Sequence, residues 1–317
     1  MNVSYVLPLR WTDDRDLAEL SHYLRSLASL VEVIVVDGSP ATRFEKHSAE
    51  WGSEVVHIRP DPRYSFQNGK VNGVTTGVMA ATHQAVVIAD DDVRYTPQQL
   101  CRVAALLAHN DLVRPQNYFD PLPWHAAWDS ARSLLNRSVG ADYPGTLGVR
   151  KATFVSMGGY DGNVMFENLE LIRTVKAFGG REVVPLDLYV RRLPPDPGHF
   201  LSQRVRQAYD DLTLPRRMLL WLAILPGLGL AVRKRAAGPV AVGIAASVGL
   251  AEVGRRRAGG ARHFPFRTSL YAPAWLLERA LCSWLALWQR ATRGGVAYNG
   301  GVIRKAGNSP RKLGRKP

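Results

Sequence analysis

Residues 85–92 read Ala85-Val86-Val87-Ile88-Ala89-Asp90-Asp91-Asp92, five apolar residues running straight into three carboxylates. A short unbroken apolar run of this kind suits a strand buried on both faces of a sheet. Residues two apart in an extended chain share a face, so Asp90 and Asp92 point the same way. Three carboxylates at the end of a buried strand repel one another unless a cation sits among them. A hard divalent ion, its shell completed by diphosphate oxygens, resolves that conflict. The alternative is a solvated acidic turn ahead of a helix that starts at Pro97.

Outward from this strand, similar runs recur at Val3–Leu7, Val31–Val36 and Glu54–Ile58, with a shorter one at Gly145–Arg150. Between the first two, Leu17, Leu20, Leu24, Leu27 and Leu30 recur at helical spacing. Lys70–His83, Pro97–Asn110 and Asn168–Phe178 read as further helices, and 111–144 as irregular chain rich in Trp, Pro and Tyr. Strand and helix in alternation predict an α/β fold, a Rossmann-like, mostly parallel sheet with helices on both faces. Ligands of such sheets bind beyond the carboxyl ends of the strands. Two more polar groups fall there: Asp37-Gly38-Ser39 after VEVIVV, and Gln67-Asn68-Gly69-Lys70, whose lysine and free N–H groups suit an anion.

Taken in order, these residues resemble the GT-A glycosyltransferases of family 2. Val35-Val36-Asp37-Gly38-Ser39 is similar to that family's nucleoside-holding V-V-D-D/N-G-S turn, and Gly69-Lys70 to the G-K opening its third helix. Ile88–Val93 resembles its D-x-D motif. Gly148-Val149-Arg150 with Gly158-Gly159-Tyr160-Asp161 resembles the acceptor-side strand, helix and turn. The resemblance spans about residues 1–210. It implies a nucleotide-diphospho-sugar transferase with Asp37, Gly38, Ser39, Lys70 and Asp91 on the donor. Asp90 and Asp92 would hold Mg²⁺ or Mn²⁺. Residues 1–110 would be the nucleotide-sugar half and 111–210 the acceptor half. Gln203 and Arg206 resemble Q-x-x-R-W, with Gln207 in place of Trp; the resemblance puts Gln203 at the acceptor and Arg206 on the diphosphate.

Two departures bear on chemistry. Thr75 stands where the family's G-K-x-x-A-L-N has Asn, and its E-D pair reads Glu167-Asn168. Asparagine cannot accept the acceptor hydroxyl's proton, which leaves Glu167, then Glu170, as candidate base. Both also fit as first-turn acids stabilised by the helix dipole. Trp124, His125 and Trp128 read as core, and His199 as a solvated loop residue.

The chain carries 41 Lys+Arg against 27 Asp+Glu, a net +14. Residues 1–200 hold −3 of this and residues 201–317 hold +17. In that basic part, Met218–Val232 and Ala236–Gly254 are apolar stretches bracketed by Arg216-Arg217, Arg233-Lys234-Arg235 and Arg255-Arg256-Arg257. Positive clusters at every end disagree with simple crossings, so a re-entrant or surface-lying helical pair is expected over 218–254, within a membrane-associated helical region 211–307. Trp275–Arg290 reads as an amphipathic helix with Leu277, Leu281, Trp284 and Trp288 on one face. The stretch GGVAYNGGVIRKA resembles the ending of several bacterial membrane-associated glycosyltransferases, and 308–317 is expected to be a disordered basic tail.

Clusters that bracket apolar stretches rather than track one polar face argue against nucleic acid as partner. Two cysteines are too few for a disulfide framework. The opening residues carry no signal-peptide pattern. The expectation is an inverting glycosyltransferase moving a sugar from a nucleoside diphosphate sugar to a lipid or lipid-linked acceptor at the cytoplasmic face of the inner membrane. The alternative is a degenerate GT-A scaffold that binds nucleotide without turnover.

Overall fold

The computed structural model describes residues 1–298 and 301–313, so Asn299 and Gly300 of the ending motif and residues 314–317 of the tail lie outside the described part. The chain packs as two compact units. One comprises residues 1–115, 144–190 and 308–317; the other comprises 116–143 and 191–307. The chain passes from one unit to the other more than once.

The first unit is built on seven strands: β1 (Val3–Leu9), β2 (Glu32–Asp37), β3 (Val56–Ile58), β4 (Ala85–Ala89), β5 (Leu112–Val113), β6 (Thr146–Arg150) and β7 (Glu182–Val183). Their order is β3-β2-β1-β4-β6-β5-β7. The first four strands are parallel, while β6 runs antiparallel to both β4 and β5. The order reverses at β1, with β2 on one side and β4 on the other. Their carboxyl ends therefore open the crevice in which α/β folds take ligands.

Helices cover both faces. On one, Leu17, Leu20, Leu24 and Leu27 of the helix Leu17–Ala28 pack with Leu100, Val103 and Leu107 of Pro97–Leu107 against Tyr5, Leu7, Val33 and Val35. Each such leucine taken from water contributes roughly 1.5–3 kcal/mol. On the other face, Val71, Val74 and Val78 of Gly69–Ala80 meet Val6, Ile34 and Val36. That helix lies close to the sheet because a Cβ on Gly77 would stand 2.3 Å from a methyl of Val6.

The second unit is helical: Trp124–Val139, Pro197–Tyr209, Pro215–Arg233, Ala237–Arg256 and Ala272–Arg293. Its polarity is partly inverted. Inside, Arg204 meets Asp129 at 2.9 Å, Arg217 and Arg279 meet Asp211 at 2.8 and 2.9 Å, and Trp128 donates to Glu278 at 2.5 Å. On Ala272–Arg293, Arg279 and Ser283 are buried while Leu277, Leu281, Trp284 and Trp288 are exposed, the Trp residues by 45% and 55%. Pro215–Arg233 and Ala237–Arg262, the second running on past Arg256, are long and apolar enough to cross a membrane, and both are mostly exposed. His125 is buried as expected, whereas Trp124 is 53% exposed.

The tail departs from expectation. Asn308 is buried, its N–H reaches Glu170 at 2.8 Å and its amide reaches Asp161 at 2.9 Å. Pro310–Leu313 form a helical turn with Leu313 buried. Polar satisfaction, which composition does not reveal, holds this segment to the first unit.

Candidate active site

The carboxyl ends of β1, β2 and β4 carry the polar groups that the sequence singles out, all within the first unit. Asp90, Asp91 and Asp92 follow β4 and are half-buried. Asp90 is fixed through its backbone: its N–H donates to the Gly145 carbonyl at 3.0 Å, and its carbonyl accepts from Val93 at 3.1 Å.

Lys70 joins this group from the opposite side. Asn68 caps its helix, accepting the Lys70 N–H at 3.1 Å. The Lys70 ammonium then stands 2.5 Å from Asp90 and 2.7 Å from Glu167. Burial alone would lower the Lys70 pKa, but the two carboxylates override it and hold it far above its ordinary value. Asn68 also donates to Glu167 Oε2 at 3.3 Å. Buried Tyr160 lies in the field of the same groups, and desolvation first, then Glu167, pushes its phenol far up. The structure thus brings Lys70, Asp90 and Glu167 together.

Glu170 does not join them. It is fully buried and spends both oxygens on Asn308, so it is no candidate base. Asn168, which stands where the family has Asp, donates to the Pro144 carbonyl at 3.2 Å.

Asp37 also differs from its expected role. Its side chain is wholly enclosed: one oxygen accepts from Ser39 N–H at 2.8 Å, the other faces His47 Nδ1 at 2.6 Å and His57 Nε2 at 3.2 Å. Burial would raise its pKa, but the histidines and Ser39 hold it well below the carboxylate range. A carboxylate without exposed surface makes no direct contact with a nucleoside. Asp37 instead fixes the shape of the Gly38-Ser39 turn.

Trp11, just past β1, was not anticipated. Its N–H donates to Ser39 Oγ at 2.8 Å and its indole to Asp91 Oδ2 at 2.5 Å, so it ties the second-strand turn to the acidic run. Its only signal in the sequence is its position after a strand end. In the second unit, Gln203 and Arg206 are half-buried on Pro197–Tyr209, and His199 is exposed at that helix's first turn.

The donor set bears on the metal. Asp90 and Asp92 supply only carboxylate oxygens, the ligand type of Mg²⁺ and Mn²⁺. Among the described residues, three ligand atoms converge at Asp37, His47 and His57 and not along the acidic run. One or two carboxylates with phosphate and water completing the shell is the usual Mg²⁺ arrangement, so the acidic run fits such an ion on a bound diphosphate.

The family model described as Glycosyl transferase family 2 matches residues 16–163. No curated protein matches the chain significantly. Among solved structures, the mannosyltransferase PcManGT from Pyrobaculum calidifontis, in complex with GDP-Man and Mn²⁺, is similar with a TM-score of 0.57. It is 18% identical, over 91% of this chain and 88% of its own. Glucosyl-3-phosphoglycerate synthase from Mycobacterium tuberculosis in complex with phosphoglyceric acid is 22% identical over 63% of this chain and 74% of its own, with a TM-score of 0.44.

Proposed function

We propose that the chain, whose residues 16–163 match the Glycosyl transferase family 2 model and whose fold is similar to that of PcManGT, is an inverting glycosyltransferase. It would move a sugar from a nucleoside diphosphate sugar to a lipid or lipid-linked acceptor at the cytoplasmic face of the inner membrane. The observation that carries the catalytic part is the Lys70 bridge between Asp90 and Glu167. It joins the strand end expected to face the diphosphate to the carboxylate expected to face the acceptor.

In this reading Gly38 and Ser39 form the nucleoside turn, shaped by Asp37 from beneath and tied by Trp11 to Asp91. Asp90 and Asp92 would hold Mg²⁺ or Mn²⁺, which would supply positive charge to a leaving diphosphate. Lys70 supplies a fixed cation beside the same oxygens. Glu167 takes the proton of the acceptor hydroxyl as its oxygen bonds the anomeric carbon and the bond to the diphosphate breaks. The resemblance assigns Gln203 to the acceptor and Arg206 to the diphosphate, where a guanidinium suits phosphate oxygens. That PcManGT holds GDP-Man and Mn²⁺ supports this class of donor and ion. The outward Leu and Trp side chains of the second unit support a membrane surface as partner and a lipid as acceptor.

Thermal-shift screening of nucleotide sugars with and without Mn²⁺ identifies the donor. With that donor, Asp92→Asn is expected to abolish Mn²⁺-dependent transfer, and normal activity would overturn the metal assignment. Glu167→Gln is expected to bind donor yet lower turnover by 10²-fold or more, on the order expected for a lost general base. A second reading, a nucleotide-binding scaffold, draws on Asn168, which serves the Pro144 carbonyl. Donor binding without transfer to any lipid acceptor in the wild-type chain would favour it.

A further inference from the structure

Beneath the nucleoside turn, three side chains from three successive elements point at one spot. Asp37 ends β2, His47 lies on the helix Ala41–Trp51, and His57 lies on β3 beside Val35 of β2. All three side chains are buried, at 0%, 0% and 4% exposure. His47 Nδ1 and His57 Nε2 both face the same oxygen, Asp37 Oδ2, at 2.6 and 3.2 Å.

The outer nitrogen of each ring is also occupied. His47 Nε2 meets Asp14 Oδ1 at 3.3 Å, and His57 Nδ1 meets Ser48 Oγ at 2.7 Å. Each ring is held flat as well: His47 stacks on Trp51 with centroids 5.1 Å apart, and His57 on Phe44 at 4.1 Å. Metal-binding imidazoles show this pattern, one nitrogen turned inward and the other donating to a carboxylate or hydroxyl that fixes the tautomer.

We propose that Asp37, His47 and His57 form a transition-metal site for Zn²⁺, separate from the hard-ion site at Asp90 and Asp92. Two imidazole nitrogens and one carboxylate oxygen are a zinc ligand set, and imidazole disfavours Mg²⁺. Zn–N bonds of about 2.0–2.1 Å put neighbouring ligands of a tetrahedron roughly 3.3 Å apart. The Asp37–His57 separation already matches this, and His47 needs to withdraw by about 0.7 Å. When the metal binds, Asp14 and Ser48 accept from the outer ring nitrogens and leave both inner lone pairs to the ion. A water takes the fourth position. The metal pins the base of the Gly38-Ser39 turn and takes no part in sugar transfer, so the site stands whether or not the proposed reaction does.

The test uses the full chain, stripped with a chelator and titrated with Zn²⁺ or Co²⁺ under excess Mg²⁺. The expected result is one equivalent bound per chain, a raised melting temperature, and the visible absorption band of tetrahedral Co²⁺. Asp92→Asn should keep that band, and His57→Gln should lose it while retaining the wild-type circular dichroism spectrum. His47→Gln repeats the test from the helix side. No stoichiometric Zn²⁺ or Co²⁺ on the wild-type chain overturns the proposal, as does a band kept by both histidine variants or lost in Asp92→Asn. The wild-type titration decides even where a histidine variant misfolds.

Discussion

Lys70 bridges two carboxylates at once, and both depend on it. With its side chain mostly enclosed, removing the ammonium leaves Asp90 and Glu167 facing each other with one cation lost. Breaking a buried pair by deleting one partner costs about 3–5 kcal/mol. Lys70→Met is therefore expected to lower the unfolding free energy from urea titration by about that amount, and Mn²⁺ should restore more stability to this variant than to the wild type. Asp129 gives a pH-dependent counterpart in the second unit. Burial raises its pKa, but Arg132 and Arg204 win and hold it at about 2, against 3.8 for the free group. A depressed carboxylate stabilises fully above its unfolded pKa and loses that contribution as pH falls through the folded one. Between pH 3.8 and 2, about 2 kcal/mol should vanish, at 1.36 kcal/mol per unit. Unfolding free energies of wild type and Asp129→Asn across acid pH check this: the wild-type loss over that range should exceed the variant's by about 2 kcal/mol. At this scale the acidic run was legible because strand ends in an α/β fold are ligand positions, Lys70 because it stands in a Gly-containing turn that opens a helix, and Glu167 only through the resemblance. His47 and His57 were not, since ten residues of separation hide a contact made only by neighbouring elements.

Five of the seven strands in the first unit's sheet were readable because a buried strand there is an unbroken apolar run, whereas Leu112–Val113 and Glu182–Val183, two residues each, are too short to show a pattern. The helix Trp124–Val139 escaped for the opposite reason. Its buried positions include Asp129, Ser130, Ser133 and Arg137, so apolar residues do not mark its inner face. The same inversion turns Ala272–Arg293 outward. What binds Trp124–Val139 to Ala237–Arg256 is close backbone approach and polar contact. Arg137 donates to the Gly254 carbonyl at 3.3 Å and to Arg257 O at 2.7 Å. A Cβ on Gly254 would stand 1.9 Å from the Leu134 carbonyl oxygen. Gly254→Ala is accordingly expected to push the two helices apart and cost about 1–3 kcal/mol or more. Gly249→Ala, on the same helix with nothing within 4 Å of the new methyl, should gain up to about 1 kcal/mol from helix propensity. Thermal unfolding of the pair separates packing from propensity, since the two variants should move in opposite directions.

Over the whole chain, net charge and apolar exposure fall together. Residues 201–317 carry +17 and also hold Leu219, Leu220, Val242, Ile244, Leu281, Trp284 and Trp288 at the surface. Soluble proteins seldom leave large apolar patches uncovered, and the proposed bilayer partner would cover these side chains without demanding shape complementarity. The two features act through different forces. Each Lys or Arg near an anionic leaflet contributes about 1 kcal/mol that salt screens, whereas buried Trp and Leu contribute through the hydrophobic effect, which salt does not weaken. Flotation with vesicles therefore separates them. Binding to anionic vesicles should fall in high salt but persist, and binding to neutral vesicles should be weaker and nearly salt-independent. Replacing Leu281, Trp284 and Trp288 together with Ser should remove the salt-resistant part, because each loses roughly 1.5–3 kcal/mol of transfer free energy when fully buried. The buried Arg279 and Ser283 on the opposite face are untouched, so circular dichroism should stay unchanged. Complete release by salt alone would instead mean that the outward Leu and Trp side chains do not enter the bilayer, and that charge alone draws this region to the surface.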